Sequence, residues 1–318
     1  MKDPADIQVA VVVPAYNSVR TLERTIHSIL RQTHNNLDVI IVDDGSTDAT
    51  SALIRQISFS NERVRYHRQP NEGAAAARNT GAALTAADYI AFCDADDLWS
   101  RDKIESQLKT LLSSRIRLGF VYSGFAVIDA NDRVLRTWTP TYEGWIFDRL
   151  LRENFIGNGS SALFRRECFE QIGGFQQRHC PAEDLALYLD AARRFPAGVV
   201  CRPQVGYRRT EGSLSSNGFR VLKATTDLLK QYADEMPSAR RTIQLHIRGV
   251  LIWQIIHALR RRQFSDALHL FMCDPGLIIE VARSYIPERT VGLIQRNRKH
   301  LSSASNRTDV VFWQLENC

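Results

Sequence analysis

Apolar, β-branched runs alternate with stretches of helical period through the first hundred residues of the 318-residue chain, and this rhythm narrows the fold more than any other feature. The run VAVVV (9–13), closed by Pro14, reads as a strand buried on both faces. After the short loop Ala15-Tyr16-Asn17, residues Val19, Leu22, Ile26, Ile29 and Leu30 recur at helical spacing, with Asn17 or Ser18 available as the cap. The unit then repeats. Residues 37–42 form a second apolar run ending in DDGSTD (43–48), where Thr47 or Asp48 can cap the next helix. Residues 64–67 predict a third strand, the alanine-rich stretch 73–84 a helix able to pack closely on a sheet, and residues 89–93 a fourth strand. Such alternation predicts an α/β fold with a mainly parallel sheet covered on both faces, whose ligands lie beyond the carboxyl ends of the strands. Three polar loops fall at such ends: PAYN (14–17), DDGSTD and CDADD (93–97).

From residue 119 to about residue 216 the pattern is less regular, and a hairpin at Ala130-Asn131-Asp132, between 120–128 and 134–138, predicts mixed or antiparallel strands there. From Phe219 onward the pattern is helical. The chain therefore divides into an α/β domain, 1–217, with halves 1–115 and 116–217, and a helical C-terminal extension, 218–318. Six cysteines without a C-x-x-C pair argue against a disulfide framework and a thiolate zinc site, and fit a reducing cytoplasm. The opening residues show no secretory signal pattern, and no apolar span reaches membrane length. A net charge of +6 would suit a nucleic acid, an anionic membrane face or a phosphorylated small molecule. The basic clusters at 260–262 and 296–299 lack interleaved aromatics, which argues against a nucleic-acid partner.

The loop AFCDADDLW (91–99) sets three carboxylates within four residues, where like charges repel unless something positive binds. A D-x-D pair, Asp94 and Asp96, can hold a divalent cation that also grips a diphosphate. Asp96 or Asp97 capping a helix that begins at Leu98 is the ordinary alternative. Asp94, Asp96, Asp102 and Glu105 also have EF-hand-like spacing, but Trp99 stands where that loop requires glycine. A phosphatase of the haloacid dehalogenase type is a minor rival, with Leu98 in place of its usual threonine or valine. Asp43 and Asp44 can accept from a nucleobase N–H or a ribose hydroxyl, or form an Asx turn and helix cap. In NEGAAAARNTG (71–81), Arg78 can contact a nucleotide or be a solvated helix arginine.

In combination, residues 11–50, 71–82 and 88–99 resemble the family 2 glycosyltransferases, the inverting, nucleotide-sugar-dependent group with the Rossmann-like GT-A fold. The resemblance continues through FIGNGSSALFRRECFEQIGGF (155–175), PAEDLALYLDAARRFP (181–196) and YRRTEGSLS (207–215), about two-thirds of the chain in all. It implies a nucleotide-binding half, 1–115, and an acceptor-binding half, 116–217. By resemblance, Pro14, Ala15 and Tyr16, with Asn17, would wall the nucleobase. Asp44, with Asp43, would bond the base, and Arg78 the base or ribose. Asp94, Ala95 and Asp96 would hold the ribose and a divalent cation, Mn²⁺ or Mg²⁺, with Asp96 and Asp94 as ligands. Asp184 would be the general base, while Glu183 beside it, Arg208, Arg209 and Ser213 would close on the diphosphate or acceptor, with Thr210 where a histidine is common.

The implied activity moves one sugar, from a donor such as a UDP-sugar, to a glycan or lipid-linked glycan in cell-surface polysaccharide synthesis. No Q-x-x-R-W follows the acidic pair, which points to single addition rather than polymerisation. A sugar-phosphate nucleotidyltransferase would need a glycine-rich N-terminal loop, and PAYN stands there instead. A non-catalytic nucleotide-sugar or glycan binder of the same fold is the alternative from another class. The last hundred residues carry no family signature. Their basic clusters beside Trp253, Ile255 and Ile256 suit either peripheral contact with the inner membrane face or a buried helix with a solvated arginine end.

Overall fold

The computed structural model describes residues 6–208 and 218–260. These form two compact units. The domain boundary expected near residue 217 falls on the segment between them, outside the described residues.

The first unit is built on one nine-stranded sheet. Its parallel part runs β3 (Val64–Gln69), β2 (Leu37–Asp44), β1 (Val9–Ala15), β4 (Tyr89–Phe92). β1 is buried along its whole length because both faces are covered. On one face Val9, Val11 and Val13 join Leu22, Ile26 and Ile29 of α1 (Leu22–Leu30) in the main core. On the other, Val12 lies against Gly81 of α3 (Ala74–Ala83). α2 (Thr50–Ser60) connects β2 to β3, and the Asp48 carboxylate accepts from Thr50 N at 2.9 Å at its start.

Beyond β4 the sheet becomes mixed. β8 (Ala162–Arg165) runs antiparallel to β4 and to β6 (Phe120–Ile128), and β6 runs parallel to β9 (Ala197–Arg208). β7 (Val134–Trp138) pairs with β6 as a hairpin. Two sequence expectations change here. Leu98 and Trp99 form a short strand, β5, antiparallel to β9, and the next helix, α4 (Lys103–Ser113), begins only at Lys103. Asp97 is therefore not a helix cap. α1 likewise begins at Leu22, and neither Asn17 nor Ser18 caps it with a side chain. The remaining helices are α5 (Phe147–Leu150), α6 (Arg166–Gln171) and α7 (Glu183–Arg194).

In the second unit, α8 (Gly218–Glu235) and α9 (Arg240–Arg260) pack through Leu222, Leu251 and Ile255. No described helix is long and apolar enough to cross a membrane. The side chains of Trp253, Ile256 and Arg260, and residues 261–262 and 296–299 of the expected basic clusters, lie outside the described residues.

Candidate active site

The chain runs outward from β1 through β2 to β3, then crosses back to place β4 on the other side of β1. In sheets of this kind a ligand crevice lies where the strand order reverses, here at the carboxyl ends of β1 and β4. The first two loops are joined there by polar contacts. Asn17, at φ 48°, uses its side-chain oxygen to accept from Thr47 N (2.8 Å) and Asp48 N (3.3 Å), while its own N–H donates to Ser46 Oγ (3.0 Å). Ser18 N donates to Thr50 Oγ1 at 2.8 Å. Tyr16, in the first loop, is 49% exposed, whereas Pro14 and Ala15 are buried in β1.

The two aspartates ending β2 divide their work. Asp43 is fully buried and accepts from Ser46 N (2.8 Å), Tyr66 Oη (3.1 Å) and Ser51 Oγ. Burial opposes its charge, but these donors hold its pKa below the usual carboxylate range. These bonds close the turn that follows β2. Asp44, 3% exposed, accepts from Gln69 Nε2 (2.8 Å), Glu72 N (2.9 Å) and Gly73 N (2.8 Å), so it fixes the start of α3. Gly45 sits at φ 76°, and a Cβ there would meet Asn71 N at 2.9 Å, so the turn needs glycine.

The third loop is braced from several elements. Asp94 N donates to Ser160 Oγ (3.0 Å), and that hydroxyl donates to Asp97 Oδ2 (2.6 Å). Asp97 Oδ1 accepts from Arg208 N (3.0 Å). The carbonyl oxygens of Ala95 and Asp96 accept from Thr25 Oγ1 (3.0 Å) and Arg208 Nε (2.8 Å). Asp97 is thus a buried structural anchor, its pKa pushed well up by burial and by Asp96 and Asp94. Asp96 is half-buried, and burial together with Asp94 raises it to about 6.

Arg78 joins this loop to α7. Its guanidinium, 5% exposed, donates to Asp94 Oδ1 (2.6 Å) and Glu183 Oε1 (3.1 Å) and lies 4.9 Å from the centre of the Phe175 ring. Burial works against its charge, but Asp94 and Glu183 outweigh it and hold the group above its usual value. Asn79 fixes Phe175 by exchanging two hydrogen bonds with its backbone, at 2.8 and 2.9 Å. Glu183 Oε2 is buried without a partner. Next to it, half-buried Asp184 accepts from Leu185 N (2.7 Å), and burial and then Glu183 raise its carboxyl to about 7. A carboxylate of that strength suits proton abstraction near neutrality.

Arg208, expected to close on the diphosphate or acceptor, is packed inside the first unit. It is 2% exposed, and besides Asp96 its guanidinium donates to Asp129 O (2.8 Å) and Asp132 Oδ1 (2.5 Å). Arg209 and Ser213, with Thr210, lie outside the described residues. Among the described residues no group of three or more His, Cys, Asp and Glu side chains could hold a metal by itself. Asp96 nevertheless fits a shared site: its carboxylate accepts no bond from another side chain, its charge is disfavoured by Asp94, and Mg²⁺ or Mn²⁺ bound with a diphosphate needs only one or two protein carboxylates. Ser160, Phe175, Asn79 and Asp132 carry the site without having been expected. GNGSS stood inside the segment of family resemblance, but no spacing rule connects Ser160 with Asp97, 63 residues away.

Residues 10–173 match the family described as Glycosyl transferase family 2. The chain is 30% identical, over 74% of its own length and 90% of the relative's, to the UDP-Glc:alpha-D-GlcNAc-diphosphoundecaprenol beta-1,3-glucosyltransferase WfgD of Escherichia coli. In three dimensions it is similar to the mannosyltransferase PcManGT of Pyrobaculum calidifontis, solved with GDP-Man and Mn²⁺, at TM-score 0.57 and 18% identity over 86% of this chain and 85% of that one. It is also similar to residues 1–349 of S. aureus TarS, solved with UDP-GlcNAc, at TM-score 0.56 and 16% identity over 70% and 65% of the two chains. At such identities the likeness is one of fold, the GT-A arrangement of a curled, mainly parallel sheet with helices.

Proposed function

The chain belongs to glycosyl transferase family 2, and from that premise we propose that it moves one sugar from a nucleoside diphosphate sugar to a hydroxyl of a glycan or lipid-linked glycan, inverting the anomeric carbon. The observation that carries this reading is the Asp94–Arg78–Glu183 chain of ion pairs, which ties the D-x-D loop to the helix start bearing Asp184. The acceptor hydroxyl is a weak nucleophile, so Asp184 takes its proton as the new bond to the anomeric carbon forms. The nucleoside diphosphate leaves from the opposite face, and this in-line geometry inverts the centre. A divalent cation held by Asp96, with Asp94 beside it, would supply charge neutralisation for the departing diphosphate. Tyr16 offers an exposed ring to the nucleobase, a stacking contact contributing about 0.5–1.5 kcal/mol.

In this reading residues 1–115 carry the donor and residues 116–217 shape the acceptor side. The diphosphoundecaprenol acceptor in the name of WfgD supports a lipid-linked acceptor and a role in cell-surface polysaccharide synthesis. UDP in that name and in the TarS complex supports a uridine donor. The reading puts the enzyme in the cytoplasm, at the inner membrane face when the acceptor is lipid-linked. The test is release of nucleoside diphosphate from a panel of donors and acceptors by the native protein and by Asp184→Asn. We expect turnover by the native protein, and in the variant full donor binding with turnover reduced on the order of 10²–10⁴-fold. Near-native turnover in Asp184→Asn would remove it as the base, and donor binding without any turnover would favour a non-catalytic binder.

A further inference from the structure

Asp132 stands at the tip of the β6–β7 hairpin, where a carboxylate ordinarily faces water, yet it is 2% exposed. Its φ of 63° puts the backbone in the left-handed region, which aspartate tolerates better than most residues. The turn is built to allow this. Asp129 Oδ1 accepts from Asn131 N (2.8 Å) and Arg133 N (2.9 Å), and Asp132 N donates to Asp129 O at 3.1 Å.

The inward carboxylate meets two guanidinium groups, Arg208 through Oδ1 at 2.5 Å and Arg24 of α1 through Oδ2. Arg208 in turn donates Nε to the main-chain oxygen of Asp96, not to its carboxylate. The distinction matters because a guanidinium pairs more strongly with a carboxylate than with a carbonyl. The Asp96 carboxylate already feels the Arg208 charge. Asp132 supplies a competing carboxylate to Arg208 through Nη2, and Thr25 Oγ1 donates to the neighbouring carbonyl of Ala95 at 3.0 Å, bracing the loop.

The geometry points to Asp132 as a positioning residue that holds Arg208 on the Asp96 carbonyl and off the Asp96 carboxylate, leaving that carboxylate to a divalent cation. The inference rests on the role proposed above for Asp96. Removing the Asp132 charge takes away the carboxylate that Arg208 and Arg24 both pair with, and Arg208 then competes with the cation for Asp96.

The test is Mn²⁺ binding to the full chain in the presence of UDP, followed by the electron paramagnetic resonance signal of free Mn²⁺. Asp132→Asn keeps the size and one acceptor oxygen but removes the charge. We expect its Mn²⁺ affinity to fall about tenfold, the loss typical of one redirected charged hydrogen bond. Asp132→Glu, which keeps the charge, should retain Mn²⁺ affinity near that of the native protein. In an Arg208→Gln background, Asp132→Asn should add no further loss, because the two residues act as one unit. The charge-balanced pair Arg24→Gln with Asp132→Asn should show the same loss as Asp132→Asn alone and serves where the single variant folds poorly. A folded Asp132→Asn protein that melts lower but binds Mn²⁺ as tightly as the native chain overturns the inference, as does a full tenfold loss persisting in the Arg208→Gln background. If the native protein itself takes up no Mn²⁺ with UDP, the cation role of Asp96 fails, and this inference falls with it.

Discussion

Asp184 and Asp96 are both half-buried carboxylates with raised proton affinity, and their neighbours differ. Asp184 is lifted to about 7 by burial and by Glu183, whereas Asp96 reaches about 6 through burial and Asp94. A general base works only when ionised, so the rate should rise with pH to a plateau above about 7 and fall about tenfold per unit below it. A profile of turnover against pH at saturating donor checks this, and a rate flat down to pH 5 would contradict the role of Asp184. Ser160 makes a second residue-scale prediction. Replacing it by alanine strips Asp97 of a donor at 2.6 Å and leaves Asp94 N without its acceptor, in a fully buried setting. Urea unfolding should show a loss of about 1–3 kcal/mol. Asp94 and Asp96 were legible because a D-x-D after an apolar strand is a local pattern. The role of Asp97 was not, because its partners, Ser160 in the turn before β8 and Arg208 at the end of β9, lie far along the chain.

At the scale of elements, α3 shows how a small side chain positions a site. A Cβ on Gly81 would lie 2.3 Å from Val12 Cγ1 and 3.2 Å from Val42 Cγ2, so this glycine lets the helix settle onto β1 and β2 together. Arg78, one turn earlier on the same helix, is thereby brought to Asp94 and Glu183. Gly81→Ala should cost about 1–3 kcal/mol through overpacking. Chemical denaturation measures it, and unchanged stability would show that the contact is looser than described. Alanine-rich composition foretold the close packing, and helical or strand period foretold the elements up to β4. β5 escaped because two residues carry no period. Its pairing, Leu98 with Gly206 and Trp99 with Val205, is decided by β9, in a region whose sequence pattern is irregular.

Across the whole first unit, the same sheet that carries the site also encloses a charge. Lys103 is fully buried under the site loop, its ammonium 2.9 Å from Gln107 Oε1 and 4.1 Å from the centre of the Trp99 ring, and burial lowers it from 10.5 to about 7. Between those two values the unfolded chain binds a proton that the folded one does not, so this group makes stability rise with pH over that window and contributes no slope below it. Lys103→Met should therefore remove part of the pH dependence between about 7 and 10. Unfolding free energies of native and variant proteins across that window give the comparison, and identical slopes would contradict it. The central claim concerns the crevice at the ends of β1 and β4. Its most direct test is calorimetric titration of nucleoside diphosphate sugars into the full chain with and without Mn²⁺. Uptake that requires Mn²⁺ and is lost in Asp96→Asn is the predicted result. No uptake of any donor by the folded protein, or uptake indifferent to Asp96→Asn, would contradict it.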